Sequence, residues 1–401
     1  MKQQQVGASN PADRQGQAPD CGGGLQWATA HASFPAKHRA GLPATEEQKK
    51  ERRHVAHHHA DLPYRRDRRA RPASEGSQKA PFRQHFARHY AALDLGTNNC
   101  RLLIARPQGE GFAVVDAFSR IVRLGEGLAT SGRLSDAAVE RTIAALRICA
   151  DKLKRRNVTL ARSVATEACR RASNGTAFIE RAYRETGIHL DVISAEEEAR
   201  LAVLGCHVLL EPGNAPALVF DIGGGSTELV LIDTSTTVPT VIDWHSAPWG
   251  VVSLTESAGG GEGPAGLAAA YDRMRNLVRE SFAPFADRLP KVDGPRRLLG
   301  TSGTVTTLAS VHLGLDRYDR AQVDGLIAPA DSMRAISQRL AHLSITERAK
   351  LPCIGRERAD LVVAGCAILE TILDLWPAER LGIADRGIRE GILRRLMTSA
   401  A

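Results

Sequence analysis

The sequence contains two copies of one short pattern, in which an apolar strand ends in an aspartate, a glycine-rich turn follows, and a second apolar strand returns. In the first copy the aspartate is Asp94 and the turn covers residues 96–98. In the second copy the aspartate is Asp221 and the turn covers residues 223–226. Short apolar runs bounded by glycine are typical of buried strands. The repetition predicts two similar domains whose turns face each other.

The glycine turns are candidate phosphate sites. Without a side chain, glycine lets the backbone bend sharply and approach a ligand, and successive N–H groups can donate to phosphate oxygens. Asp221 and Glu228 flank the second turn, and their carboxylates suit a hard cation such as Mg²⁺, which prefers oxygen ligands. A plain hairpin with a glycine-rich tip is the alternative for this segment taken alone. A phosphate between two such turns would be held from both sides.

The basic charge of the chain is concentrated near its start. Residues 1–88 carry 16 Lys and Arg against 8 Asp and Glu, whereas the other residues carry 37 of each. A basic chain often indicates nucleic-acid binding. Here the part that is expected to fold, residues 89–401, has equal numbers of basic and acidic residues, so we expect no specific nucleic-acid partner. The first 88 residues lack apolar periodicity, which predicts a disordered basic tail. Its arginines at 65–71 could contact an anionic polymer, and a solvated tail is the alternative.

Cysteine usage and hydropathy indicate a reducing compartment. The seven cysteines are scattered and form no Cys-x-x-Cys pair, which argues against a disulfide framework and a structural zinc site. The sequence has no apolar run of membrane-spanning length and no apolar core of a secretory signal. We therefore expect a cytoplasmic protein.

The order of predicted elements indicates an α/β protein. Three strands come first, followed by helices that alternate with strands. Ser194 stands three residues before Glu197, ahead of an apolar run, which predicts a capping box at a helix start. Glu196, Glu197 and Glu198 also suit the positive end of the helix dipole. Because this helix begins just before the second glycine turn, one of the three carboxylates is a candidate to activate a water there.

A third anion site is predicted near residue 302. A strand over 297–300 leads into Ser302, Gly303 and Thr304, which open a helix, and a helix start with small polar residues binds anions readily. The chain contains no Walker A pattern, so a P-loop nucleotidase is disfavoured.

Five motifs, in this order, resemble one known family. They are Asp-Leu-Gly-Thr-Asn from Asp94, Glu-Glu-Ala-Arg from Glu197, Asp-Ile-Gly-Gly-Gly-Ser-Thr-Glu from Asp221, Gly-Thr-Ser-Gly-Thr from Gly300 and Asp-Arg-Gly-Ile-Arg-Glu-Gly from Asp385. The chain is identified as a member of the exopolyphosphatase / guanosine pentaphosphate phosphohydrolase (Ppx/GppA phosphatase) family. The resemblance covers about residues 90–398.

The resemblance implies two actin-like, ribonuclease H-like α/β domains with the active site in the cleft between them. We expect the first domain over 89–193, with the C-terminal helix over 388–398 as a candidate addition to it, and the second over 194–387. The family also makes a homodimer a candidate assembly. No stretch of the sequence identifies the dimer contact.

The resemblance assigns roles to particular residues. It implies that Glu198 activates the water and that Mg²⁺ is held by carboxylates matching those of the family. The implied metal ligands are Asp94, Asp221 and Glu228. The implied phosphate-binding residues are Gly96, Thr97, Asn98, Arg101, Arg170, Gly223, Gly224, Gly225, Ser226, Ser302, Gly303 and Thr304. Arginines that could guide a polymer are Arg120, Arg123, Arg155, Arg156, Arg171 and Arg389.

The resemblance implies Mg²⁺-dependent hydrolysis of a terminal phosphoanhydride, with inorganic polyphosphate as the first substrate and guanosine pentaphosphate (pppGpp) as the alternative. The motifs do not separate these two substrates. An ATP-dependent kinase of the same superfold would need an adenosine pocket in the second domain. A non-enzymatic ppGpp sensor would need no water-activating base, so Glu198 argues against it.

Overall fold

The structure, a computed structural model, describes residues 88–109, 111–236, 238–291 and 296–399. The predicted basic tail up to residue 87, including its arginine cluster, lies outside the described residues. The six cysteines in the described part of the chain are free thiols. No helix in the described part of the chain is long and apolar enough to cross a membrane.

The first sheet has five strands in the order β3-β2-β1-β4-β5. Strands β1 to β3 pair antiparallel, whereas β4 pairs parallel with both β1 and β5. The strands are β1 His89–Leu95, β2 Asn99–Gln108, β3 Gly111–Ile121, β4 Val158–Ala165 and β5 Asp191–Val192. The helices of this half are α1 Leu128–Ser131, α2 Asp136–Arg155, α3 Glu167–Arg171, α4 Gly175–Thr186 and α5 Ala195–Cys206, with a 3₁₀ turn at His207–Leu209.

The second sheet repeats this order with one added edge strand. It reads β8-β7-β6-β9-β11-β10, with β6 to β8 antiparallel and β9 parallel to both β6 and β11. The strands are β6 Ala217–Ile222, β7 Thr227–Asp233, β8 Thr240–Ala247, β9 Arg297–Thr301, β10 Ile327–Pro329 and β11 Arg380–Ala384. The helices are α6 Val251–Ala258, α7 Gly263–Ala286, α8 Ser302–His312, α9 Arg320–Val323, α10 Ala330–Ala341, α11 Ile345–Arg348, α12 Val362–Leu375 and α13 Ile388–Ser399.

The repeated order of strands confirms the predicted fold class, an α/β protein with two actin-like, ribonuclease H-like sheets. Strands β1 and β6 are covered on both faces, because alternate residues of each strand pack into two different cores. This explains why the sequence shows continuous apolar runs there rather than alternation. Apolar side chains of β1, such as Leu93 and Leu95, are almost completely buried.

Helices α5 and α13 lie where the two sheets approach each other. Leu201 and Ile392 pack into a core beneath the first sheet, whereas Val203 of α5 packs against β6 and β7 of the second. The two helices touch through their backbones, since a Cβ at Gly391 would come within 2.1 Å of the Leu201 carbonyl oxygen. The C-terminal helix thus covers the first sheet. The exact domain boundaries stay a prediction.

The C-terminal helix expected over 388–398 is present as α13, Ile388–Ser399. Ser194 caps α5 by accepting from the Glu197 backbone N–H, but Glu197 does not return the bond, because its carboxylate accepts from Arg162 and Arg395. The N-cap is therefore confirmed, and the reciprocal half of the capping box is not.

Candidate active site

The two glycine turns lie against each other. A Cβ placed on Gly224 would lie 3.0 Å from the Asn98 backbone nitrogen, and one on Gly225 would lie 2.6 Å from Thr97 Oγ1. Neither glycine has a positive φ, so the turn needs glycine for close approach and not for a left-handed backbone. The prediction that the two turns face each other is confirmed.

A cavity opens between these turns and brings together most of the predicted site. It is lined by twelve predicted residues, namely Asp94, Gly96, Thr97, Asn98, Arg101, Glu198, Asp221, Gly223, Gly224, Gly225, Ser226 and Ser302. A second cavity adjoins the first and is lined by Gly303 and Thr304, while Asn98, Arg101, Gly223, Gly224 and Ser302 line both. Arg170 and Glu228 line neither of these two cavities.

Glu198 stands in the first turn of α5 with only 8 % of its surface exposed. Its Oε2 accepts a hydrogen bond from Arg170 Nη1 at 2.8 Å. Burial, followed by the nearby negative charge of Glu228, raises the pKa of Glu198 well above its ordinary value, and Arg170 opposes this shift. A carboxylate with a raised pKa beside a cavity is suited to accept a proton near neutral pH.

Arg170 has a different environment from the one predicted. Its guanidinium donates to Glu198, to Glu167 Oε2 at 2.9 Å and to the Ile193 carbonyl at 2.8 Å. Arg170, which was predicted to bind phosphate, is therefore bonded to two carboxylates here. Helix α3 places its guanidinium beside Glu198, and Arg170 does not line the cavity. Glu167, which the sequence analysis missed, lines the cavity. Its spacing of three residues before Arg170 on a helix is the signal that could have identified it.

Asp94 and Asp221 lie at the ends of the equivalent strands β1 and β6. Burial raises the pKa of Asp94. Burial first, and then the charge of Asp94, raises the pKa of Asp221 to about 6. Arg101 lowers both pKa values but does not cancel the shifts. Asp94 Oδ1 is buried and has no hydrogen-bond partner in the structure, so the pair presents negative charge without full compensation.

The predicted metal ligands Asp94, Asp221 and Glu228 stay a prediction, and they lie in two environments: Asp94 and Asp221 line the first cavity, whereas Glu228 lines neither cavity. Within the described residues no group of three or more His, Cys, Asp or Glu side chains is arranged to hold a metal ion. Glu228 lies behind the cavity wall with 1 % of its surface exposed, and its Oε1 accepts from Ser226 Oγ and Ser246 Oγ. Burial and Asp221 raise the pKa of Glu228 to about 7.

Two arginines of the cleft were not assigned to the phosphate site from the sequence. Arg389, at the start of α13, lines the first cavity, and burial lowers its pKa. Arg358 lines the second cavity and donates to Thr307 Oγ1 at 2.8 Å. Of the six arginines predicted to guide a polymer, Arg389 alone lines either cavity. The motif from Asp385 was the signal for Arg389.

Ser302 has a strained backbone where β9 passes into α8. Its φ is +80°, a left-handed value that is uncommon for a residue with a side chain. Such strain persists where surrounding structure enforces it, and it is concentrated at functional sites. Ser302 lines both cavities and lies next to Asp221. The Ser302 hydroxyl lowers the pKa of Asp221.

A comparison with family models matches residues 103–400 to the Ppx/GppA phosphatase family. The chain belongs to the Ppx/GppA phosphatase family. The match begins within β2, covers the whole second sheet and includes four of the five motifs completely, so the resemblance seen in the sequence is confirmed. As a member of this phosphatase family the protein is an enzyme, a phosphoanhydride hydrolase.

Individual members of the family are similar over most of their length. Exopolyphosphatase 2 of Mycobacterium tuberculosis is 33% identical over 316 residues, which cover 75% of this chain and 96% of the relative. The crystal structure of the Ppx/GppA family member of Aquifex aeolicus is 29% identical, with a TM-score of 0.64, over 78% of this chain and 98% of that one. An exopolyphosphatase structure from Cytophaga hutchinsonii, 23% identical with a TM-score of 0.68 over 78% and 98%, shares the fold.

Proposed function

We propose that this member of the family is a Mg²⁺-dependent exopolyphosphatase that releases orthophosphate from the end of inorganic polyphosphate. The observation that carries the proposal is the position of Glu198, a buried carboxylate beside a cavity walled by two glycine turns. The relative from Mycobacterium tuberculosis named exopolyphosphatase 2 supports the choice of polymer. Inorganic polyphosphate needs only repeated anion contacts, and the two adjoining cavities offer them.

The terminal phosphate would be bound by the backbone N–H groups of the two turns. Thr97 Oγ1 is buried without a partner, and as a hydroxyl it can donate to a phosphate oxygen, whereas buried polar atoms of this kind normally already have a partner. Arg101 and Arg389 would each present a planar guanidinium, which matches phosphate oxygens in pairs. Phosphoryl transfer depends mainly on such positioning and charge stabilisation.

Glu198 would accept a proton from the attacking water. The water oxygen bonds to the terminal phosphorus, the bond from that phosphorus to the bridging oxygen breaks, and the shortened chain keeps the bridging oxygen. Arg170 and Glu167 would hold the carboxylate in one orientation, because Arg170 contacts both acids. A base with a fixed orientation and a raised pKa needs little rearrangement during the reaction.

Asp94 and Asp221 would hold the Mg²⁺ ion. They fit a cation because Asp94 Oδ1 is buried without a partner and the pKa values of both carboxyls are raised. Magnesium is usually bound by one or two carboxylates together with water and substrate phosphates. When bound, it offsets the negative charge of the phosphates.

The second cavity also favours an alternative substrate, pppGpp. In addition to the polar residues that it shares with the first cavity, its lining includes Arg358 and four apolar side chains, Ile222, Val251, Leu361 and Val362. An apolar wall beside an arginine suits the base and sugar of a nucleotide better than a bare polyphosphate chain. A pppGpp 5′-phosphatase would use the same base and the same turns.

A substrate panel tests the proposal. Purified full-length protein with Mg²⁺ is offered long-chain polyphosphate, pppGpp and ATP, and orthophosphate release is followed. We expect the highest kcat/KM on polyphosphate, and we expect Glu198→Gln to be inactive in the same assay. A preference for pppGpp would replace the proposal with the alternative. ATP-driven phosphorylation of an acceptor would indicate a kinase, and binding without any turnover would indicate a sensor.

A further inference from the structure

The segment over 122–127, which follows β3, is attached to the first glycine turn by its backbone. The N–H groups of Val122 and Arg123 both donate to the Asn98 carbonyl, at 2.9 and 3.0 Å. The Gly125 N–H donates to the Thr97 carbonyl at 2.9 Å. This segment therefore moves together with the turn that would hold the terminal phosphate.

The Arg123 side chain reaches across to the half of the molecule built on the second sheet. Its Nη1 and Nη2 lie 3.0 and 3.3 Å from the two carboxylate oxygens of Asp360, and Nη2 also donates to the Glu357 carbonyl at 3.2 Å. Both partners belong to the segment just before α12. A two-pronged arginine–carboxylate contact fixes orientation as well as distance.

A second contact lies beside the first. The Gly127 N–H donates to Glu256 Oε1, on α6, at 2.8 Å. The backbone between the two contacts is held in place, because Arg141 donates to the carbonyls of Val122 and Arg123. Arg123 itself has a φ of +48°, an uncommon value for a residue with a side chain, which surrounding structure must maintain.

The segment that receives Arg123 also carries a cleft residue. Arg358 stands between Glu357 and Asp360 and lines the second cavity. One side chain thus connects Asn98, in the first half of the site, with Arg358 in the second half. The Arg123 and Asp360 side chains are 32% and 30% exposed, and exposed pairs of this kind contribute little to global stability. A contribution to global stability is therefore not enough to explain the ion pair between Arg123 and Asp360, called the bridge below.

We propose that Arg123 is a positioning residue that holds the cleft in its closed form, so that Asn98 and Arg358 contact the phosphate chain together. The inference rests on the proposed function only in using polyphosphate as the probe. If only the closed form binds polyphosphate, the apparent affinity is proportional to the fraction of molecules that are closed. Loss of the bridge should then raise KM, whereas kcat, measured on the closed complex, should change little.

Asp360→Asn removes the charge of the partner and leaves its shape. We expect KM for polyphosphate to rise about three- to fivefold, the upper end of what an exposed ion pair contributes, with kcat within about twofold and an unchanged melting temperature. Arg123→Asp combined with Asp360→Arg should recover part of the loss seen in each single reversal. The control is Arg147→Ala, which breaks an ion pair with Glu185 confined to the first half and should leave KM unchanged.

A distance measurement tests the bridge without turnover. Encoded spectroscopic labels at the exposed positions Tyr183 and Ile345 report the separation of the two halves in the full-length protein. We expect Asp360→Asn to broaden and lengthen the distance distribution, and added polyphosphate to narrow it. A wild-type distribution, or a wild-type KM in Asp360→Asn, would overturn the proposal. If wild-type protein releases no phosphate from polyphosphate, the proposed function fails, and the distribution without ligand still decides the role of Arg123.

Discussion

Arg170 Nη1 lies 2.8 Å from Glu198 Oε2, and Arg170 Nη2 lies 2.9 Å from Glu167 Oε2. One guanidinium therefore joins the proposed base to a second carboxylate on the cavity wall. The contact lowers the pKa of Glu198 against the larger upward effect of burial. Glu198 is therefore buried enough to have a raised pKa, and Arg170 holds its carboxylate in a fixed orientation.

Glu198→Gln should abolish turnover and preserve binding. The amide keeps the size of the side chain but cannot accept the proton of the attacking water, and the loss of a general base costs about 10² to 10⁴-fold in rate. Phosphate release gives kcat, and calorimetry with polyphosphate gives the affinity. Glu196→Gln is the matched control, since Glu196 lies on the same helix turn and pairs with the exposed Arg200. Equal rates for Glu198→Gln and wild type would disprove the assignment of the base.

Arg170→Met should shift the pH dependence of kcat. The base acts when deprotonated, so activity falls as pH drops through the raised pKa of Glu198. Arg170 lowers that pKa, and its removal should therefore move the acidic limb of the profile to higher pH and lower the rate at neutral pH. Rates measured across the acidic and neutral range give the limb. Arg200→Met serves as the control, and an identical limb in Arg170→Met would mean that Arg170 does not act on the base.

Asp221→Asn and Glu228→Gln should differ in their need for Mg²⁺. Asp221 lines the cavity, whereas Glu228 is enclosed by two serine hydroxyls behind it. We expect Asp221→Asn to raise the Mg²⁺ concentration for half-maximal activity by at least about tenfold, since the loss of even an outer-shell partner of a metal ligand costs about that much. Glu228→Gln should leave this concentration near the wild-type value. A Mg²⁺ titration of phosphate release decides, and an equal increase in both variants would restore Glu228 as a ligand.

Gly225→Ala should separate the two turns. The added Cβ would lie 2.6 Å from Thr97 Oγ1 and 2.9 Å from Glu167 Cγ, so at least one of these side chains must move. A displacement of about 1 Å in a catalytic site can cost about 100-fold in rate. We expect kcat/KM to fall by that order with a folded protein by circular dichroism. Gly111→Ala, whose Cβ would have no neighbour closer than 3.9 Å, should be silent; wild-type activity in Gly225→Ala would contradict the role of close approach.

The sequence alone predicted the repeated hairpins, the α/β class and most cavity residues. It could do so because apolar runs and glycine turns act over a few residues, and because the turn chemistry of residues 96–98 and 223–226 is local. It also predicted the helix start at Ser194, since a cap is satisfied within one turn. Local signals of this kind do not depend on what packs against them.

The tertiary structure decided what each charged side chain contacts. Arg170 could have met a phosphate or a carboxylate. Its contact with Glu167 lies within α3, whereas its contact with Glu198 joins α3 to α5, and only the tertiary structure brings those two helices together. Glu228 occupies a metal-like place in its motif, yet the pairing of β7 with β8 encloses it by Ser246. The partner of Arg123, Asp360, lies far along the chain. Such contacts depend on distances between elements remote in sequence, which local patterns do not encode.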